Sequence, residues 1–275
     1  MERIAFQGER GAFSEEAARR LFGEAVEVLP RASFEEVFQA VADGTADAAV
    51  LPVENSIAGS IHRNYDLLLE RDLPIVGEVE VRVSHCLIAH PGVELTAIRR
   101  VYSHPQALAQ CEAYLRGLGI ETVASYDTAG SVKLIRDQQI RDGAAIASAR
   151  AAEIYGMAVL ASEIEDLREN YTRFVAISRQ AAPLGPRTKS SIVFSLPNAP
   201  GSLFKALSVF ALRDIDLLKI ESRPLRGRRW HYLFYVDFAG DAADAGPCQR
   251  ALEHLGEFAD FIKVLGTYPR WTQTS

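Results

Sequence analysis

The sequence predicts a mixed α/β protein in two parts: a doubly wound, two-lobed domain over residues 1–180 and a smaller β-α-β-β-α-β domain over residues 190–270. Three observations carry that expectation. Short apolar runs alternate with segments of helical periodicity from the N-terminus to about residue 178. A stretch of turn formers at 180–189, with Pro183, Gly185 and Pro186, then breaks the rhythm and reads as a linker. Beyond it the order of elements changes. A chain of 275 residues has room for both parts, since single cores stop growing near about 250–300 residues.

Ile4-Ala5-Phe6 is the first short strand, and Gly8-Glu9-Arg10-Gly11 leads into a helix starting near Ser14, a candidate cap. Such a turn offers backbone N–H groups to an anion. Ser33-Phe34-Glu35-Glu36 is a capping box whose helix runs through Val37, Phe38 and Val41 to Gly44, with both phenylalanines directed to the core. Ala48-Ala49-Val50-Leu51 reads as a buried parallel strand delivering Pro52-Val53-Glu54-Asn55-Ser56 at its carboxyl end. Open α/β sheets bind ligands there. Glu54, Asn55 and Ser56 present a carboxylate, an amide and a hydroxyl in succession, and Ser56 also suits a helix cap. Ile61, Tyr65, Leu68 and Leu69 keep helical spacing up to Pro74. The extended stretches 74–83 and 86–89 predict a crossing between lobes.

Val101-Tyr102-Ser103 resumes the alternation, and Pro105 opens a helix whose apolar face carries Leu108, Cys111, Tyr114, Leu115 and Leu118. His104 and Gln106, on the exit from the strand, are candidates to line a cleft. Asp127-Thr128 caps a helix over 129–141, and a strand at 144–147 precedes a helix over 148–155 stopped by Gly156. Asn170-Tyr171-Thr172-Arg173-Phe174 then stands at the mouth of an apolar strand, 174–178. An arginine there can grip a carboxylate with two parallel hydrogen bonds, and a neighbouring hydroxyl can donate to a leaving oxygen. Past the linker, strands at 191–196, 217–222, 230–237 and 261–268 and helices at 201–212 and 247–255 give the ferredoxin-like order.

Composition excludes several classes. Hydrophobic residues make up 48% and charged residues 24%, ordinary values for a globular chain. A formal net charge of -6 and a pI near 5.6 advertise neither nucleic acid nor an anionic membrane as partner. Cys86, Cys111 and Cys248 lack metal-site or disulfide spacing and read as reduced core thiols, so no metal is expected. Met1-Glu2-Arg3 passes straight into a strand without an apolar leader, and no run of about 18 apolar residues occurs, so a cytoplasmic protein is expected.

Eight strings taken together resemble the monofunctional prephenate dehydratases that carry a C-terminal ACT regulatory domain. They are Gly11-Ala12-Phe13-Ser14, Pro52-Val53-Glu54-Asn55-Ser56 with Gly59, His104-Pro105-Gln106, Thr128-Ala129, Tyr155-Gly156, Asn170-Tyr171-Thr172-Arg173-Phe174, Pro200-Gly201 and Glu221-Ser222-Arg223-Pro224. They fall in the family's order across nearly the whole chain. The chain departs at Gly130, where the family often has alanine, and at Gly201-Ser202-Leu203-Phe204, where it usually has Gly-Ala-Leu-Val.

The resemblance implies a catalytic domain like the two-lobed periplasmic binding proteins, converting prephenate to phenylpyruvate with loss of carbon dioxide and water. No cofactor is needed, because aromatisation drives the reaction. It implies Thr172 as donor to the departing hydroxyl, with Glu54 or water resupplying it and Asn55 beside it. Ser14, Ser56, His104, Gln106, Thr128, Arg173 and Phe174 would bind and shape the substrate. In the second domain Asn198, Gly201, Leu203, Glu221, Ser222, Arg223 and Pro224 would hold L-phenylalanine as feedback effector, in a homodimer or homotetramer. Arogenate, the transaminated substrate, is the runner-up, and a non-catalytic amino-acid sensor or a ligand-free scaffold are the rivals from other classes.

Overall fold

The structure, a computed structural model, describes residues 1–181, 188–225 and 227–272; Pro183, Gly185 and Pro186 of the expected linker lie outside them. Two compact units divide the chain, Met1–Asn64 with Val79–Phe174, and Tyr65–Glu78 with Val175–Ser275. The dividing lines pass along strands, so each unit is described by itself.

The first half opens with β1 (Arg3–Gln7), α1 (Phe13–Phe22), β2 (Glu27–Arg31), α2 (Phe34–Ala42), β3 (Ala48–Asn55), the two-residue β4 (Gly59–Ser60), α3 (His62–Glu70) and β5 (Ile75–Arg82). Then follow β6 (Cys86–Ala89), β7 (Arg100–Ser103), α4 (Pro105–Gln110), α5 (Glu112–Leu118), β8 (Glu121–Ala124), α6 (Thr128–Asp137), β9 (Gly143–Ala147), α7 (Ala149–Tyr155), β10 (Ala158–Ala161) and β11 (Tyr171–Ser178). One sheet has the order β2-β1-β3-β11-β5, the other β10-β6-β9-β7-β8. The steps from β5 to β6 and from β10 to β11 carry the chain from one sheet to the other, as the long extended passage predicted.

β1 pairs in parallel with β2 and β3, and β7 with β8 and β9. β6 runs antiparallel to both β9 and β10, so the second sheet is mixed. Strands β3 and β9 read as near-continuous apolar runs because helices cover both faces of such a sheet; all five residues of β9 are buried.

Several elements differ from the expectation. β2 went unpredicted because its Glu-Val-Leu-Pro-Arg string is polar and carries Pro30, which only an edge strand tolerates. β3 runs on through Asn55, so Glu54 and Asn55 belong to a strand rather than a loop. The helix expected through Cys111 breaks there into α4 and α5. α6 ends at Asp137, four residues early, before Gln139 turns to a φ of 53°. Ser14 is not a cap: Ala12 holds that position, without a side-chain bond, and Ser14 is buried in the first turn of α1.

The second half contains β12 (Thr188–Ser195), α8 (Ser202–Ala211), β13 (Leu217–Pro224), β14 (Tyr232–Ala239), α9 (Pro247–Gly256) and β15 (Phe261–Pro269). The sheet order β13-β14-β12-β15, antiparallel throughout, is the ferredoxin-like arrangement. Ile192, Phe194, Val236 and Phe238 of the sheet pack with Phe210 of α8 and Leu255 of α9 in one apolar layer. Within this unit Lys189 is buried between Glu78 (2.8 Å) and Asp237 (3.2 Å).

Candidate active site

The first unit contains a cavity of about 600 Å³. Its walls come from the carboxyl ends of β1, β3, β7 and β8 and the helix starts that follow them, where ligands bind in open α/β sheets.

One wall is built by strands. Thr172 on β11 is 7% exposed and Asn55 at the end of β3 is 5% exposed, and both face the cavity. Asn55 Oδ1 accepts from the N–H groups of Ile57 (3.1 Å) and Ala58 (2.9 Å), which fixes the orientation of its amide. Its Nδ2 then donates to Asn170 Oδ1 (2.7 Å), to Thr172 Oγ1 (3.0 Å) and to the Tyr171 carbonyl (3.2 Å). Since Thr172 Oγ1 receives a hydrogen bond from Asn55, its own proton is left to point elsewhere. Phe174, two residues on, lines the cavity and is 2% exposed.

The facing wall is built by helix starts. Phe13 and Ser14 of α1, Ser33 with Phe34 and Glu35 of α2, His104 with Gln106 at α4, and Asp127 with Thr128 at α6 all line it. Ser33 Oγ accepts from Glu36 N (3.2 Å) as the capping box predicted. His104 Nδ1 accepts from Gln106 N (3.2 Å), so the ring's donor is Nε2–H in its neutral form. Asp127 caps α6 by accepting from Gly130 N. The α1 end is held from behind. Gly11 takes a φ of 86° and lies so close to α7 that a Cβ there would stand 2.6 Å from Ala151 Cα. Its N–H donates to buried Glu15 (2.8 Å), and its carbonyl accepts from Ser148 Oγ (2.6 Å).

Among the described residues, no lysine or arginine lines the cavity. What the walls offer an anion is helix starts, hydroxyls and amides. The imidazole of His85 completes the wall, 2% exposed, its Nε2 3.0 Å from Gln110 Oε1 and its edge against Phe13. Burial pushes its pKa below the ordinary 6.5, with the Gln110 bond opposing, so the ring is neutral near pH 7. Burial pushes the Asp127 carboxyl up, against the pull of the Gly130 and Glu9 N–H groups.

Of the residues singled out in the sequence, Thr172, Asn55, Ser14, His104, Gln106, Thr128 and Phe174 meet at this cavity. Glu54, Ser56 and Arg173 do not line it. Successive residues of a strand face opposite sides, so Arg173 cannot share a face with Thr172 and Phe174; it stands 3.6 Å from Glu54 Oε2. Ser56 Oγ bonds the backbone of Glu169 and Tyr171, both at 3.0 Å, joining the β3 turn to β11. Phe34, expected in the core, instead lines the cavity. Gln110, not among the sequence candidates, also lines the cavity, and its spacing one helical turn beyond Gln106 places it on the same face. His85 carries no local motif and was missed.

In the second unit, Gly201 opens α8 with a φ of 80° and Leu203 is 38% exposed in its first turn. Asn198 is exposed in the turn before it. On β13, Glu221 pairs with Lys219 (3.2 Å) and Arg223 with Asp66, whereas Ser222 and Pro224 alternate to the other face.

A two-lobed α/β unit with a cavity at the carboxyl ends of its strands, followed by a ferredoxin-like unit, is the architecture of a small-molecule enzyme with an appended ligand module. The prephenate dehydratase family model matches residues 4–182 and the ACT domain model residues 190–245. The chain belongs to the prephenate dehydratase family and is a carbon–oxygen lyase. It is 52% identical over 97% of its length, and 72% of the relative's, to arogenate dehydratase/prephenate dehydratase 2, chloroplastic, of Arabidopsis thaliana. A solved prephenate dehydratase from Arthrobacter aurescens in complex with L-Phe is 33% identical with a TM-score of 0.88, covering 98% of this chain and 90% of that one. A second solved chain, GqqA, described as a novel type of quorum quenching acylase, is 38% identical with a TM-score of 0.89 over 98% of both chains.

Proposed function

We propose that this chain performs the decarboxylating dehydration of prephenate, or of its amino counterpart arogenate, at the cavity of the first unit. The ring carboxylate leaves as carbon dioxide, the ring hydroxyl takes up a proton and leaves as water, and the product ring is aromatic. The observation that carries this reading is the Asn55–Thr172 bond, which leaves the Thr172 proton for an acceptor in the cavity. A threonine hydroxyl has a pKa far above 7, so it acts as a preorganised donor to the departing oxygen rather than as an acid of matched strength.

Helix starts and the hydroxyls of Ser14 and Thr128 receive the side-chain carboxylate, and Phe174 and Phe13 shape the space for the ring. Glu54, Ser56 and Arg173 act behind the wall: Ser56 ties β3 to β11, and the Glu54–Arg173 pair sets the far face of the Thr172 strand. An acyl-transfer reading, suggested by the description of GqqA, would need a base at a hydroxyl. Here the buried imidazole of His85 faces Gln110 and the Thr172 oxygen faces Asn55.

The ACT match and the phenylalanine complex of the Arthrobacter relative support L-phenylalanine as effector. Asn198, Gly201 and Leu203 with Glu221, Ser222, Arg223 and Pro224 are its proposed contacts, in a homodimer or homotetramer. No described helix is long and apolar enough to cross a membrane; we place the enzyme in the cytoplasm, which cell fractionation checks.

Turnover of prephenate and of arogenate by the purified chain, with and without L-phenylalanine, tests the reading. Phenylpyruvate or phenylalanine is the expected product, and added phenylalanine is expected to suppress its formation. Absence of product from both substrates would refute the catalytic assignment.

A further inference from the structure

We propose that His85 is a positioning residue of the cleft: its ring Nε2–H holds the oxygen of the Gln110 side-chain amide and so turns the amide NH2 towards the ligand. The inference rests on the dehydratase reading above and adds to it a residue that prepares a donor for the substrate's anionic groups.

The two side chains are set against each other by a third segment. Ile164 N–H donates to the His85 carbonyl (3.1 Å), His85 N–H to Oε2 of the buried Glu165 (2.8 Å), and Asp166 N–H to the Gln110 carbonyl (2.7 Å). Residues 164–166 thus fasten the backbones of both partners. The His85 ring also packs against Phe13, with 5.8 Å between ring centroids, which limits how far it can turn. Held in this way, His85 Nε2 lies 3.0 Å from Gln110 Oε1.

Which ring nitrogen carries the proton decides what Gln110 offers. Nδ1 is buried without a hydrogen-bond partner. With the proton on Nε2, that bare Nδ1 is only an unused acceptor. With the proton on Nδ1, a buried N–H would be orphaned, which is the rarer and costlier case. The proton therefore belongs on Nε2 and donates to Gln110 Oε1. The Gln110 oxygen is spent on His85, whereas its Nε2 has no acceptor among the described residues and is not sealed from solvent, on a residue that lines the cavity. Reversed, the amide would set its oxygen there. The formally charged side chains of the described lining, apart from histidine, are Glu35 and Asp127, both acidic. A ligand with two carboxylates depends on neutral donors in such a cavity, so the direction of one amide decides whether it attracts or repels.

The first test uses the full-length wild type labelled with 15N in histidine, so it does not depend on any variant folding. The imidazole spectrum, with the His85 signals identified by their loss in His85→Gln, is expected to show a neutral ring protonated on Nε2. A proton on Nδ1 overturns the proposal, because Gln110 would then turn its oxygen to the cavity. Kinetics supply the second test. His85→Leu removes the donor and should raise KM about tenfold with kcat nearly unchanged, the pattern of a lost hydrogen bond to a charged group made equally in ground and transition states. His85→Gln, which can set an amide N–H where Nε2–H stands, should restore most of that loss. In a Gln110→Leu background, His85→Leu should raise KM no further. A full tenfold rise in that background would mean that His85 does not act through Gln110, and would overturn the proposal while leaving the dehydratase assignment intact. No turnover of prephenate or arogenate by the wild type overturns the assignment itself, and the proposal with it.

Discussion

The two walls of the cleft solve different problems. On the strand wall, the buried Asn55 amide, oriented by the Ile57 and Ala58 N–H groups, donates to Asn170 and to Thr172, so one hydroxyl is fixed in one orientation before substrate arrives. On the helix wall, the starts of α1, α2, α4 and α6 present N–H groups, hydroxyls and a carboxylate towards an unfilled space. The difference separates rate from recognition. A donor held by its neighbours costs no reorganisation when charge develops on the leaving oxygen. Contacts made equally to substrate and transition state set affinity instead.

The largest effect that would break this division is at Thr172. Thr172→Ala should lower kcat by about 10²–10³-fold with little change in KM, the usual cost of one preorganised donor. Asn55→Asp, which replaces the donating amide with an acceptor and leaves the Thr172 proton free to turn back, should fall in the same range. Steady-state kinetics on both variants checks this, and a change confined to KM would put Thr172 on the recognition side.

The strand wall was also the more legible in sequence, but with one instructive error. The apolar run alone puts the start of the strand at Phe174 and makes Thr172-Arg173-Phe174 a unit at its mouth. The strand begins at Tyr171, and from there alternation sends Arg173 to the side opposite its neighbours. Glu54 left the site for the same reason once β3 extended to Asn55. The alternating pattern and the ferredoxin-like order were visible because buried strands and amphipathic helices write their period into the chain. β2 was not, since an exposed edge strand has no apolar run to show. The places of His85 and Asp127 at the cavity depend on which segments meet in space, and no local spacing encodes that.

The next effect concerns how the helix wall is held. Gly11→Ala forces a side chain into left-handed backbone and against Ala151, whose Cα and Cβ lie 2.6 and 2.9 Å from the new atom. About 2 kcal/mol of stability should be lost. KM should rise, since α1 must shift to relieve the clash. Urea unfolding and kinetics together test this. A stability loss with unchanged KM would mean that α1 is not part of the recognition surface.

A smaller effect belongs to Ser14. Deleting its hydroxyl should remove one hydrogen bond to bound substrate, about 1 kcal/mol, raising KM roughly fivefold while leaving kcat nearly intact. Equal losses in kcat and kcat/KM in Ser14→Ala would instead assign the hydroxyl to the transition state and erase the contrast between the walls at that point.

The smallest effect is one of pH, and it tests whether the neutral His85 belongs to the structure of the cleft. Burial depresses its folded-state pKa, while the unfolded chain titrates near 6.5. On acidification below about 6.5 the unfolded chain therefore gains a proton before the folded one does, and stability falls as the pH drops toward the folded-state value. Above that range the group leaves stability unchanged with pH. His85→Gln keeps a polar side chain beside Gln110 but removes the proton, so the wild type should lose more stability than the variant between pH 7.5 and pH 5.5. Urea titrations of both proteins at the two pH values measure the difference. Identical slopes would mean that the ring accepts a proton in place, and the cleft would then gain a cation on acidification, sharpening the comparison in the opposite sense by giving the helix wall a charge it lacks near neutrality.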